Sequence, residues 1–195
     1  MVHIVLRGNI GAGKSTVGRE VATLLGGVFV PEPVDQWVSS GALEAMYSGQ
    51  KAAFQAYALA TRVANRNFIV AHRGGIVVLD RWLDDDKAFA KANLTAAEYV
   101  AYERLWDVTA AMNDVGETWS VWLDVTVDVC LARIARRGRD EETGITAEYL
   151  RSLDRPEGAV DAIVDGEPPA EMVAMLIVEA FCCWQCQKYC PPPLD

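Results

Sequence analysis

The chain has 195 residues, 51% of them apolar, and a net charge of −9. That length can bury one full core, and the apolar content excludes a disordered chain. The acidic balance argues against a nucleic-acid or anionic-membrane partner. No apolar run is long enough to span a membrane, since even Val173 to Trp184 is interrupted by Glu179. With a strand pattern starting at residue 2 and no targeting segment, the expectation is a reducing, cytoplasmic setting.

Val2-His3-Ile4-Val5-Leu6-Arg7 predicts a short buried strand, and a helical pattern opens at Lys14. Between them runs Gly8-Asn9-Ile10-Gly11-Ala12-Gly13-Lys14-Ser15-Thr16. Gly, four residues, then Gly-Lys-Ser between strand and helix is what a phosphate-binding loop needs. Glycines let the backbone curl so that successive N–H groups face phosphate oxygens. The positive end of the helix adds to that field. Lys14 can reach the terminal phosphates and the Ser15 hydroxyl can ligate Mg²⁺, so the segment predicts a nucleoside-triphosphate site. A plain Gly-rich turn would not explain why Lys and Ser follow the last glycine.

Ser15 to Leu25 reads as a helix ended by Gly26-Gly27. Val28 to Val30 is a short strand running into Pro31-Glu32-Pro33. Ala42 to Tyr47 is a short helix, and Lys51 to Arg73 a long one stopped by Gly74-Gly75. Ile76 to Leu79 is a strand apolar on both faces, ending in Asp80-Arg81. Asp84 to Lys91 is helical, and Thr95 to Met112 is a helix opened by a Thr95–Glu98 capping box. Trp119 to Val125 is a strand, then Val127 to Arg136 and Thr146 to Leu153 are helices. Ala159 to Val164 is the last strand and Pro169 to Tyr189 the closing helix, with Pro191-Pro192-Pro193 as an extended tail. This alternation predicts an α/β fold, one domain over residues 1–195 with a parallel sheet of about five strands flanked by helices. Cys130 is expected in the core, and Cys182, Cys183, Cys186 and Cys190 as reduced thiols that pack on the last helix.

Ligands of parallel sheets bind beyond the carboxyl ends of the strands. The phosphate loop, Glu32 and Asp80-Arg81 follow the first three strands and should share one crevice. Glu32 is then a candidate general base, or else a surface carboxylate in a tight turn. Asp80 could hold Mg²⁺ and Arg81 neutralise charge, or the two could form a plain salt bridge. Arg133, Arg136, Arg137 and Arg139 concentrate cations in an acidic chain. A solvated charged face is the usual reading of such a run. A mobile lid over triphosphate, about residues 136–145, suits the following glycine better.

Together these residues resemble the deoxynucleoside kinase family, closest to the deoxycytidine and deoxyguanosine kinase type. Gly8 to Thr16 is that family's form of the loop, and Glu32-Pro33-Val34-Asp35-Gln36-Trp37 resembles its Glu-Pro-Val-x-x-Trp segment. Met46-Tyr47 and Phe54-Gln55 resemble its sugar- and base-contacting segments, and Arg133 to Ile145 is similar to its lid. Asp80-Arg81-Trp82 stands where cellular members have Glu-Arg-Ser and some viral ones Asp-Arg-His. The likeness covers residues 2–153 well and the remainder weakly, and the compact length resembles viral members.

The resemblance implies a P-loop kinase fold with an Arg-rich lid, and ATP-dependent, Mg²⁺-assisted phosphorylation of a deoxynucleoside 5′-hydroxyl. Glu32 would be the base, and Arg81 would steady Glu32 and the 5′-oxygen. Lys14, Arg133, Arg137 and Arg139 would grip phosphates, while Asp80 and Ser15 support the metal. Tyr47 and Glu142 would bind the 3′-hydroxyl and Gln55 the base, in a pocket walled by Trp37, Met46 and Phe54. A homodimer is implied, through helices around 84–112, where Tyr99, Tyr102, Trp106 and Met112 could equally be core.

Gln55, Ala58 and Arg62 lie along one helix face. Cytidine and purine kinases of the family carry Ala and Arg there, the Arg pairing with an Asp located as Asp86 is. Such a pair can donate to and accept from cytosine or a purine but crowds the thymine methyl. This predicts deoxycytidine, deoxyadenosine or deoxyguanosine over thymidine, unless Arg62 and Asp86 are unrelated surface charges. Where the family places a stacking Phe, strict spacing gives Ala90, with Phe89 expected to point elsewhere. Either the register shifts by one or the base is stacked less tightly. The rival readings are a nucleoside monophosphate kinase and an inactive nucleotide-binding subunit.

Overall fold

The structure is a computed structural model that describes residues 2–72 and 75–189. At its centre is strand β1 (Val2–Gly8), every residue of which is buried. Strand β3 (Val77–Asp80) pairs parallel with it on one side, Leu6 opposite Asp80. Strand β4 (Glu117–Asp124) pairs parallel on the other, Leu6 opposite Val121. Strands β2 (Val28–Val30) and β5 (Ala162–Asp165) complete a five-stranded parallel sheet in the order β2-β3-β1-β4-β5. A strand covered on both faces reads as a continuous apolar run, which is why β1 and β3 were legible.

One face is covered by α1 (Lys14–Leu24), α8 (Val127–Arg137) and α10 (Ala170–Tyr189), which bury Val17, Val21, Ile134, Ile177 and Phe181 against the sheet. The other carries α4 (Lys51–Ala64), α5 (Arg66–Ala71), α6 (Leu83–Asn93) and α7 (Ala96–Met112). The α7 helix opens on the expected capping box, Thr95 accepting from the Glu98 N–H and Glu98 from the Thr95 N–H. Short helices α2 (Val34–Ser39), α3 (Ala42–Tyr47) and α9 (Ala147–Ser152) frame the carboxyl edge of the sheet.

Three expectations are corrected, and one helix that was not predicted is found. The helix expected over 51–73 breaks at Asn65, whose N–H turns back to the Arg62 carbonyl in an i,i+3 bond; Arg73 and Gly74 lie outside the described residues. The segment after Glu32 forms α2, because Pro33 stands just before the first turn, where a missing N–H costs nothing, its carbonyl accepts from the Gln36 and Trp37 N–H groups, and Trp37 is buried. Strand β5 starts at Ala162 because the Asp161 carboxylate takes the Ser120 N–H that a longer ladder would use. Cys130 is buried as expected, but Cys182, Cys183 and Cys186 are exposed, and free among the described residues, since α10 turns Val173, Ala174, Ile177 and Phe181 inward. Cys190 and the Pro191–Pro193 tail lie outside the described residues. Among those residues, no helix is long and apolar enough to cross a membrane.

Candidate active site

The loop between β1 and α1 curls through Gly11 (φ 82°) and Gly13 (φ 95°), a conformation costly for other residues. A Cβ at Gly11 would stand 2.6 Å from the Cys130 carbonyl oxygen. Asn9 steadies the turn, accepting from the Ile10 N–H at 2.8 Å and donating to the Leu150 carbonyl at 2.8 Å. Lys14 is buried, its Nζ donating to the carbonyl oxygens of Asn9 (2.7 Å) and Gly8 (3.1 Å). Burial, then the Arg81 charge, lowers the Lys14 pKa to about 8 against the pull of Asp80 and Glu32. The Ser15 hydroxyl donates to Asp80 Oδ2, and Asp80 Oδ1 is buried with no partner among the described residues.

Glu32, at the end of β2, sits between two guanidinium groups. Arg81 Nη1 donates to its Oε2 at 2.6 Å and Arg62 Nη2 to its Oε1 at 2.9 Å. Arg81 also donates to the Gly8 carbonyl at 3.0 Å, so the base candidate and the phosphate loop share one arginine. Burial pushes the Glu32 carboxyl up, but Arg81, Arg62 and Lys14 outweigh it and hold it at about 2. Arg62 Nε lies 3.1 Å from both Asp86 oxygens, a forked pair nearly closed to solvent. Burial opposes the Arg62 charge, yet Asp86 and Glu32 more than offset that and raise its pKa. Burial lifts Asp86 to about 6 despite Arg62.

These groups face one cavity of about 360 Å³. Ile10, Gly11, Gly13, Lys14, Ser15 and Thr16 form its phosphate-loop side, with Asp80 and Arg81 beside them. Trp37, Met46, Tyr47, Phe54, Gln55 and Ala58 form the opposite wall, where Trp37 meets Phe54 edge-on at 5.4 Å. Gln55 Nε2 and Arg62 Nη1 are buried donors with no partner among the described residues. Arg137, Arg139 and Glu142 close the lid side. Glu142 accepts from Arg137 Nε at 2.9 Å and Nη2 at 2.6 Å, and from Arg139 at 3.4 Å.

Gly8, Asn9, Ala12 and Arg133 do not line this cavity. Gly8 and Asn9 enter through carbonyl oxygens that anchor Lys14. Arg133 donates to the carbonyl oxygens of Ala12 (2.9 Å), Gly166 (3.0 Å) and Glu167 (3.1 Å), bolting the phosphate loop to the β5–α10 connection. It borders a second cavity of about 850 Å³ on the far side of the loop, lined by Arg136 and by Gly166 to Ala170.

Phe89, expected to point away, lines the first cavity, and the Arg81 guanidinium lies 4.7 Å from its ring centre. Ala90 instead packs against α4 and α7 with Leu59 and Tyr102. The register shift follows from α6 itself: Asp86 and Phe89 are three apart and share a helix face, a spacing visible in the sequence. Tyr149 also lines the cavity and accepts from Asn93 Nδ2 at 2.9 Å; nothing local in the sequence marked it. Of the four residues considered for a dimer contact, Tyr102 is buried and Tyr99 and Trp106 pack beside it, whereas Met112 is 73% exposed.

Comparison with known proteins bears on the family and the fold. The family model described as "Deoxynucleoside kinase" matches residues 4–157. The chain is 28% identical over 159 residues to the probable deoxycytidine kinase of fowlpox virus, covering 77% of this chain and 67% of that one. It is 27% identical to the thymidine kinase of Epstein-Barr virus, covering 80% of this chain but only 31% of that protein's length. A solved structure of deoxyadenosine kinase from M. mycoides with bound dCTP superposes with a TM-score of 0.78 at 25% identity, covering 93% of this chain and 100% of that one. The chain belongs to the deoxynucleoside kinase family of enzymes.

Proposed function

We propose that this protein transfers the γ-phosphoryl group of ATP to the 5′-hydroxyl of a deoxynucleoside, taking deoxycytidine, deoxyadenosine or deoxyguanosine in preference to thymidine. The observation that carries this is Glu32 held by Arg62 and Arg81 in the same cavity as the phosphate loop. Phosphoryl transfer passes through a loose transition state, so positioning and charge neutralisation supply most of the catalysis. Glu32, already ionised at neutral pH, accepts the hydrogen of the 5′-hydroxyl and orients its oxygen. Arg81 bridges that carboxylate to the loop backbone. Lys14, Arg137 and Arg139 meet the phosphates, and Tyr47 and Glu142 the 3′-hydroxyl.

Ser15 and Asp80 would hold Mg²⁺. They suit it: Asp80 Oδ1 is an unpaired buried oxygen beside the Ser15 hydroxyl. Magnesium commonly takes one or two protein oxygens and completes its shell with phosphates and water. When bound it supplies neutralisation of the charge that develops on the transferred group. The second cavity, reached past Gly13, suits the nucleoside end of the donor, with Arg133 holding its floor together.

The preference rests on the Arg62–Asp86 fork and on the free donors of Gln55 and Arg62. Changing Arg62 to Met and Asp86 to Ala together should admit thymidine, read as its kcat/KM rising toward that of deoxycytidine. Either change alone should destabilise the protein by about 3 kcal/mol, because it strands a buried charge. A wild type that already prefers thymidine would refute this specificity. Glu32 also separates the proposal from a monophosphate kinase, since an acceptor that is already an anion needs no base; ADP release with deoxycytidine against dCMP decides between them.

We further propose a homodimer in the cytoplasm. Val100, Leu105, Val108 and Met112 are exposed on α7, which supports a contact through that helix.

A further inference from the structure

Leu6, Arg7 and Gly8, the last residues of β1, each hold part of the junction between β3 and α6. The Arg81 N–H donates to the Leu6 carbonyl at 3.0 Å, and Arg81 Nη2 to the Gly8 carbonyl at 3.0 Å. Between them, the buried Arg7 side chain donates through Nε to Asp85 Oδ1 at 3.1 Å. Its other nitrogens reach the carbonyl oxygens of Glu157 at 2.8 Å and Ala159 at 3.4 Å. Asp85 stands in the first turn of α6, next to Asp86.

Arg81 is the one non-glycine among the described residues with positive φ, 63°. A side-chain-bearing residue keeps that conformation only when its surroundings over-determine it. Upstream, β3 is fixed by its pairing with β1. Downstream comes α6, whose first turn is anchored by Asp85 to Arg7. Neither Arg7 nor Asp85 lines the cavity, and no step of the proposed reaction uses them.

We propose that Arg7 is a positioning residue: through Asp85 it locks the first turn of α6 to the root of the phosphate loop and so keeps Arg81 strained, with its guanidinium on Glu32. The kinetic consequence rests on the kinase reading; the lock does not. For stability alone, two apolar residues would serve as well as a buried ion pair. They could not hold one carboxylate and two carbonyls with a single planar fork.

The test compares Arg7→Met with the double change Arg7→Met and Asp85→Leu. The single change strands Asp85 and lowers the melting temperature; the double removes both charges and restores it. For the double variant we expect KM for ATP within about twofold of wild type but kcat about 100-fold lower, the usual cost of a small misplacement. Amide exchange over residues 81–86 should be about tenfold faster or more, since a local anchor has gone. Wild-type kcat and exchange in the refolded double variant would overturn the proposal and leave Arg7 purely structural. Exchange needs no turnover, so a wild type that phosphorylates no deoxynucleoside would refute the kinase reading while exchange still decides the lock.

Discussion

Asp86 and Lys14 set the pH range in which the free site carries the right charges. Asp86 titrates at about 6, because burial disfavours its charge, and Lys14 at about 8 for the same reason. Below about 6 Asp86 takes a proton and its fork with Arg62 is lost. Above about 8 Lys14 gives up the charge that should meet phosphate. The expected kcat/KM for the deoxynucleoside therefore rises through about pH 6, and that for ATP falls beyond about pH 8. Asp86→Asn should remove the acid limb, and an acid limb that survives this change would exclude Asp86 as its source. Glu32, held at about 2, contributes no limb in this range. At this scale strand-end positions made Glu32, Asp80 and Arg81 legible, and helical spacing made Arg62 legible beside Gln55 and Ala58. The run of arginines was not, since only the fold turns Arg133 toward the Ala12 and Gly166 carbonyls while Arg137 turns toward Glu142.

Helix α1 shows how an element can carry a residue its own propensity disfavours. Gly18 lies mid-helix, where Ala would be better by about 1 kcal/mol. It is buried, and a methyl there would overlap the Phe29 ring of β2 and press on Leu6 of β1. Overpacking a tight contact costs about 1–3 kcal/mol. Gly18→Ala should therefore lower the melting temperature by a few degrees despite the gain in propensity, as thermal unfolding would show; a rise would mean that Phe29 moves aside freely. The α7 capping box was legible because its signals are adjacent in sequence. The break at Asn65 and the α2 helix were not: one depends on local hydrogen bonds and the other on burying Trp37 against Phe54 and Thr61.

Across the whole molecule, alternating strand and helix periods determined a parallel sheet with helices on both faces, and the sheet then brought three strand ends to one cavity. The second cavity escaped the sequence reading because Gly166 to Ala170 carries no charge run or motif. The exposed Val108 and Met112 face of α7 gives the assembly its test. Sedimentation should find twice the chain mass, and Val108→Glu with Met112→Glu should halve it; a monomeric wild type would remove the dimer. The convergence of Glu32, Arg81 and Lys14 is tested most directly by supplying ATP, Mg²⁺ and each of the four deoxynucleosides to the wild type and to Glu32→Gln. The expected result is a 5′-monophosphate from deoxycytidine or a purine deoxynucleoside, with kcat about 100- to 1000-fold lower in the variant. Turnover of monophosphates alone, or a variant as fast as wild type, would contradict it.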